Sequence, residues 1–153
     1  MRLLLLLSSF AFCAIGIAAE PIRLCCGGVS AGALISQYLG YHDDFADPKS
    51  PELVARQSSR PAVVIGILQP IGTQRFAIRY MDQGEAPLFL YSNAPRRDLL
   101  HPPTAALNIK KKADELKIPC AIYGRGRNQL PLIPKGETRL SLQLKFCAKY
   151  LPK

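Results

Sequence analysis

The chain has 153 residues, which is enough for one domain, and its composition leaves three functional classes without support. Its formal net charge is +9, but it has neither a nucleic-acid-binding motif nor a basic stripe interleaved with aromatic residues, so we expect no nucleic-acid partner. Its cysteines lack the spacing of zinc ligands, and no apolar run beyond the N-terminus is long enough to cross a bilayer.

Residues 1–19 are predicted to be a secretory signal peptide. Met1-Arg2 is a short basic start, Leu3 to Ile17 is almost unbroken apolar sequence, and Gly16 to Ala19 offers small residues for cleavage. An uncleaved membrane anchor is the alternative interpretation. We therefore expect a secreted or periplasmic protein with one domain over residues 20–153 and no stable membrane insertion after cleavage.

A short strand over Pro21–Cys26 is predicted next, and it leads directly into a glycine-rich turn. The segment Gly28-Val29-Ser30-Ala31-Gly32 matches G-x-S-x-G, the motif of a nucleophile elbow, which requires a strand before it and a helix after it. A helical pattern starts at Ala31, so both flanks are present. The serine backbone is strained in such a turn, and the residues two positions before and after it must be very small. The alternative is a tight strand-to-helix turn that uses glycine only for close packing.

Three more strands and two long helices are predicted after this turn. Continuous apolar runs predict buried strands over Ala62–Leu68, Pro87–Tyr91 and Pro119–Tyr123. One helix opens at Pro102, and another covers Glu137–Leu151. Shorter helical segments are expected over 52–56 and around Tyr80. In the last helix the buried face is predicted to consist of Leu140, Leu144, Cys147 and Leu151. The order of elements predicts an α/β fold with a parallel sheet of about four strands flanked by helices.

This order, together with the residues Cys26–Ala33, resembles the second half of an α/β-hydrolase of the esterase/lipase branch, which includes acetyl-xylan and feruloyl-type esterases. The segment 41–50 is similar to secreted α/β-hydrolase homologues from environmental bacteria. The resemblance covers essentially everything after the signal peptide. It implies a truncated α/β-hydrolase fold, a serine carboxylic-ester hydrolase that forms an acyl-enzyme, a small-molecule or polysaccharide-linked ester as substrate, and no cofactor or metal.

The resemblance also implies roles for individual residues. Ser30 would be the nucleophile, and the backbone N–H of Ala31 would supply half of an oxyanion hole. The acid is expected in the loop between the third strand and the following helix, where Asp98 stands. A solvated loop aspartate near Arg96 and Arg97 is the alternative interpretation of Asp98.

The general base departs from the family pattern. It is expected in the loop after the fourth strand, but Arg127 stands roughly there, and arginine cannot deprotonate at working pH. The chain contains only two histidines, His42 and His101. His42 is expected at the far end of the helix after Ser30. His101 is near Asp98 and could swing toward Ser30, although its position ordinarily starts a helix.

The front half of the family fold, with the glycine-rich loop that supplies the second oxyanion donor, would precede Ser30 and is not found. Loss of the base and of one donor each lowers the rate by orders of magnitude, so we expect activity to be weak or absent. The chain would then be a truncated hydrolase, or a piece that needs its N-terminal half from elsewhere.

The alternative function is a non-catalytic binding module. From His101 onward there are eleven lysines and arginines against three acidic residues, and such a surface could bind acidic polysaccharide or the cell envelope. Ordinary solvated helix faces would produce the same excess of charge.

Overall fold

A computed structural model describes residues 24–126 and 129–151 of the chain. The predicted signal peptide at residues 1–19 and Arg127 lie outside the described residues. In the part of the chain that is described, no helix is long and apolar enough to span a bilayer.

The centre of the fold is a parallel sheet. Its strands are β1 (Cys25–Val29), β2 (Val63–Ile67), β3 (Leu88–Ser92) and β4 (Cys120–Gly124), and their spatial order is β1-β2-β3-β4. Because all strands run in one direction, their carboxyl ends and the loops that follow them meet at one edge of the sheet. The predicted α/β class with four parallel strands is confirmed.

Helices cover both faces of this sheet. They are α1 (Ala31–Tyr41), α2 (Thr73–Phe76), α3 (Pro103–Glu115) and α4 (Arg139–Tyr150), with 3₁₀ turns at Val54–Arg56 and Ile78–Tyr80. Helices α1 and α3 share one apolar cluster with side chains from β2, β3 and β4. Helix α4 contacts β2 and β3 on the opposite face, where Phe146 meets the ring of Phe89.

The ends of α3 and α4 follow from local sequence. Proline occupies the first turn of α3, where it leaves no intrahelical hydrogen bond unmade. Thr138 and Ser141 form a reciprocal capping box at the start of α4. The polar segment before β2 holds only a 3₁₀ turn where a short helix was predicted, and the predicted turn around Tyr80 is also 3₁₀.

The first strand lies further along the chain than predicted. It covers Cys25–Val29, because Gly27 and Gly28 pair in parallel register with Ile65 and Gly66 of β2. Only Ser30 remains as the turn between strand and helix. The glycines therefore belong to the sheet itself, where their lack of side chains permits close approach.

The prediction of which face of the last helix is buried is wrong. Leu140 is 60% exposed and Leu144 is 62% exposed, whereas Gln143 is buried. The helix is fixed by Phe146, whose ring centroid lies 5.8 Å from that of Phe89. This aromatic contact turns the two leucines toward solvent.

In the described part of the chain, β1 is the outermost strand on one side of the sheet. Among the described residues only β2 pairs with this strand, so its other edge carries unpaired backbone groups. The apolar side chains of Leu24, Val29 and Ile35 are exposed near this edge.

Candidate active site

Ser30 occupies the single turn residue between β1 and α1. Its φ is 56° and its ψ is −117°, a strained conformation for a residue with a side chain. Two backbone hydrogen bonds hold this conformation: the Ser30 N–H donates to the Ile67 carbonyl at 2.9 Å, and the Ser30 carbonyl accepts from the Leu34 N–H at 3.1 Å. The hydroxyl is therefore fixed at the carboxyl edge of the sheet.

Gly28 makes this turn possible. A Cβ atom added to Gly28 would lie 2.4 Å from the carbonyl carbon of Gly32, so the strand and the helix could not approach as they do. A Cβ atom added to Gly32 would meet no atom within 4 Å. The predicted need for a very small residue thus applies to the position before the serine and not to the position after it.

His101 lies directly against Ser30. The distance from His101 Nε2 to Ser30 Oγ is 2.8 Å, and the histidine side chain is 19% exposed. Helix α3 begins at Pro103, so His101 stands two residues ahead of it in irregular backbone. The expectation that this position starts a helix is not met, and the side chain is consequently able to face the serine.

Asp98 supports the other side of the His101 ring. Its Oδ2 atom lies 3.3 Å from His101 Nδ1, while its Oδ1 atom accepts from the N–H groups of Leu100 at 2.9 Å and His101 at 2.8 Å. The pKa of this carboxyl group is lowered, above all by the hydrogen bond from the His101 backbone N–H. The carboxylate therefore stays ionised and can orient the imidazole ring.

These contacts form one hydrogen-bonded chain from Ser30 through His101 to Asp98. If Nδ1 carries the ring proton and donates it to Asp98, Nε2 is left as an acceptor for the serine hydroxyl. An imidazole held in this way can take a proton from a hydroxyl group and later return it to a leaving group. The geometry is that required for nucleophilic catalysis by a serine.

The loop that carries His101 is tied to the loop after β2. The Ile71 N–H donates to the Leu100 carbonyl at 2.9 Å, and the Leu68 N–H donates to the Tyr91 carbonyl at 2.9 Å. These bonds connect the loop after β2 to β3 and to the loop that follows β3. They restrict the movement of His101 relative to Ser30.

Ala31 is exposed and is the first residue of α1. The N–H groups of a first helical turn have no intrahelical partner, and the helix dipole adds positive potential there. The first turn contains no acidic residue. This N–H group is therefore available to stabilise negative charge next to the serine.

The second histidine is distant from this site. His42 follows the last residue of α1, and its ring lies 4.8 Å from that of Tyr38, 4.8 Å from that of Phe45 and 5.0 Å from that of Tyr80. It belongs to an aromatic cluster at the other end of the helix. In the described ranges, no group of three or more His, Cys, Asp or Glu side chains could hold a metal ion.

The family resemblance predicts the base in the loop after the fourth strand, where the sequence has Arg127. The structure instead brings His101, from the loop after the third strand, to the serine. One signal in the sequence pointed to it: a histidine three residues after the candidate acid, in a chain with only two histidines.

Neither a family model nor a curated protein matches the sequence. Solved structures do match. A lipase/esterase from Lactobacillus plantarum is 18% identical, with a TM-score of 0.58 over 83% of this chain and 56% of that chain. An acetyl ester-xyloside bifunctional hydrolase from Caldicellulosiruptor lactoaceticus is 19% identical, with a TM-score of 0.55 over 81% of this chain and 51% of that chain. Esterase 2 of Thermogutta terrifontis is 14% identical, with a TM-score of 0.54 over 84% of this chain and 56% of that chain.

The chain has the α/β-hydrolase fold of these structures. It spans about half the length of the α/β-hydrolase structures that it matches. In open α/β sheets, ligands bind outside the carboxyl ends of the strands. The contact between Ser30 and His101 lies at this edge of the α/β-hydrolase sheet.

Proposed function

We propose that this protein is an exported serine carboxylic-ester hydrolase that works through an acyl-enzyme on Ser30. The observation that carries the proposal is the 2.8 Å contact between Ser30 Oγ and His101 Nε2, with Asp98 behind the imidazole ring. Within this proposal Ser30 is the nucleophile, His101 is the general base and Asp98 is the orienting acid. The presence of His101 at the serine supports activity, whereas the sequence alone predicts that activity is weak or absent.

The first half-reaction transfers the acyl group to the enzyme. His101 Nε2 takes the proton of the Ser30 hydroxyl as Oγ attacks the ester carbonyl carbon. The carbonyl oxygen becomes negatively charged and is stabilised by the Ala31 N–H at the start of α1. When the intermediate collapses, the bond to the alcohol oxygen breaks, and His101 returns the proton to the departing alcohol.

The second half-reaction releases the acid. His101 takes a proton from water, which attacks the acyl carbon, and the proton then passes to Ser30 Oγ as the carboxylic acid leaves. Each oxyanion donor contributes about 10²- to 10³-fold to such a rate. With Ala31 as the assigned donor, we expect turnover below that of a site with two donors.

Similar structures guide the choice of substrate. One is described as an acetyl ester-xyloside hydrolase, and another as a truncated form of a carbohydrate esterase from gut microbiota. We propose short acyl esters, including acetyl groups on carbohydrate, as the substrate class. Export is supported by the basic start, apolar run and small residues of 1–19.

The test combines turnover with covalent labelling. The purified chain is incubated with 4-nitrophenyl acetate and, separately, with a fluorophosphonate probe, and the labelled peptide is located by mass spectrometry. We expect turnover and a label on Ser30, both lost in Ser30→Ala and both kept in Ser50→Ala. Esterase 2 of Thermogutta terrifontis is described as phosphorylated by paraoxon, so paraoxon serves as a second probe.

Folded protein that neither turns over the ester nor labels at Ser30 would refute the proposal. If such a protein still bound acidic polysaccharide, the result would favour the non-catalytic binding module with a basic surface.

A further inference from the structure

Two adjoining cavities form a groove along α3, beginning beside His101. The first has a volume of about 120 Å³ and is lined mainly by Ile71, Gln74, Pro102, Thr104 and Asn108. The second has a volume of about 250 Å³ and is lined by Gln74, Ile78, Asn108, Lys111, Lys112 and Glu115. Because Gln74, Ile78 and Asn108 line both, the two cavities are neighbours along the helix. They are called the α3 groove below.

The near end of the α3 groove is lined by Pro102, one residue after His101. Pro102 directly follows His101, and Ile71 on the opposite wall donates its N–H to the carbonyl of Leu100 at 2.9 Å. Both walls are therefore attached to the segment that presents the imidazole ring to Ser30. A ligand bound beside Pro102 would therefore lie against the segment that holds His101.

The far end of the α3 groove is positively charged. Lys111 and Lys112 face Glu115 there, which leaves an excess of one positive charge. The neighbouring Lys110 pairs with Asp114, whereas Lys111 and Lys112 take part in no ion pair with the described residues. With a rise of about 1.5 Å per residue, this end lies about 15 Å along α3 from Pro102.

The middle of the α3 groove is rich in hydrogen-bonding groups. The exposed side chains of Gln74, Thr104 and Asn108 carry amide and hydroxyl groups that can both donate and accept. A hydrocarbon chain in this position would take water from these groups and return no hydrogen bond, which is costly. A chain of sugar hydroxyl groups would satisfy them.

We propose that the α3 groove binds the alcohol part of the ester, and that this part is a saccharide carrying a carboxylate, such as a uronic acid. The inference rests on the proposed ester hydrolase. The ester carbonyl lies at Ser30, the sugar hydroxyls bind Gln74, Thr104 and Asn108, and the carboxylate reaches Lys111 and Lys112. The basic excess of the C-terminal half thereby selects acidic carbohydrate.

The test measures binding separately from catalysis. The probes are an unesterified xylo-oligosaccharide with one glucuronic acid substituent and a neutral xylo-oligosaccharide of the same length, each titrated calorimetrically. We expect tighter binding of the acidic probe, and binding weakened about 10-fold in the double variant Lys111→Gln/Lys112→Gln. The control double variant Lys135→Gln/Lys149→Gln removes the same charge elsewhere and should bind as the unaltered chain does.

A third variant tests the sugar contacts: Asn108→Ala should weaken the binding of both probes. Equal affinity for both probes in the unaltered chain, or unchanged binding in the Lys111/Lys112 variant, would overturn the proposal that the ligand is an acidic saccharide. If neither probe binds and 4-nitrophenyl acetate is still hydrolysed, the α3 groove is not a saccharide-binding site. The proposed ester hydrolase activity would be unaffected by that result. Selective binding without hydrolysis or Ser30 labelling would refute the proposed function alone.

Discussion

The Nε2 atom of His101 lies 2.8 Å from the Oγ atom of Ser30, although 71 positions separate the two residues in the sequence. The parallel sheet brings the two residues to the same edge. β1 ends immediately before Ser30, and β3 leads into the loop that carries His101, with β2 between them. A proton can therefore pass directly between the hydroxyl group and the imidazole ring.

Replacement of His101 by alanine should lower kcat for 4-nitrophenyl acetate by about 10²- to 10⁴-fold, because the serine loses its general base. The measurement is steady-state hydrolysis at neutral pH, with circular dichroism to verify folding. His42→Ala is the matched control, since it removes the only other histidine and disturbs only the aromatic cluster. A comparable loss in both variants would mean that His101 acts through stability and not through catalysis.

Replacement of Asp98 by asparagine should lower kcat by about 10³- to 10⁴-fold with little change in stability. The side-chain carbonyl can still accept from the N–H groups of Leu100 and His101, so the loop keeps its shape. The amide NH₂, however, would face His101 Nδ1 and favour the wrong ring tautomer. Asp82→Asn serves as the control for loss of an exposed carboxylate. Full activity in Asp98→Asn would exclude the orienting role.

Much of the fold could be predicted because each buried strand is a continuous apolar run. Residues 62–68 and 87–91 are apolar runs of the kind expected for buried strands, and proline in the first turn marked the start of α3. The face of α4 could not be found in this way, because Leu140 and Leu144 have helical spacing whether or not the sheet lies beneath them. Its orientation depends on Phe89, a residue of a different element.

The candidate site shows the same limit. The turn around Ser30 is formed by consecutive residues, so the sequence motif alone predicts it. The partner His101 is placed by the register of three strands and by the Ile71–Leu100 hydrogen bond, neither of which leaves a pattern in the sequence. The family resemblance instead predicts the base in the loop after β4, where the sequence has Arg127.

The two glycines around Ser30 should respond differently to alanine. Gly28→Ala should destabilise the protein by about 1–3 kcal/mol, because its Cβ would lie 2.4 Å from the backbone of Gly32. Gly32→Ala should be neutral or stabilising by up to about 1 kcal/mol, because its Cβ meets nothing within 4 Å and alanine favours the helix. Urea unfolding measures both. Equal destabilisation by the two substitutions would contradict the expectation that only the position before the serine requires glycine.

Asp44 should make stability depend on pH at the acidic end. The hydroxyl of Ser58 and then the backbone N–H of Ser59 lower the pKa of this carboxyl group from 3.8 to about 2. A lowered pKa means that the unfolded chain binds the proton first on acidification. The contribution of Asp44 is therefore complete above pH 3.8 and is lost as the pH falls toward 2.

Urea unfolding of the unaltered chain and of Asp44→Asn across this range tests the expectation. The difference in unfolding free energy should be constant above pH 3.8 and should shrink between pH 3.8 and about 2, where Asp44 becomes protonated and uncharged like asparagine. Asp43→Asn is the neighbouring control, because the side chain of Asp44, and not that of Asp43, accepts from Ala46 and Ser59. A difference that stays constant down to pH 2 would mean that the carboxylate charge does not contribute. The effect of the substitution would then come from the shape of the loop between α1 and β2.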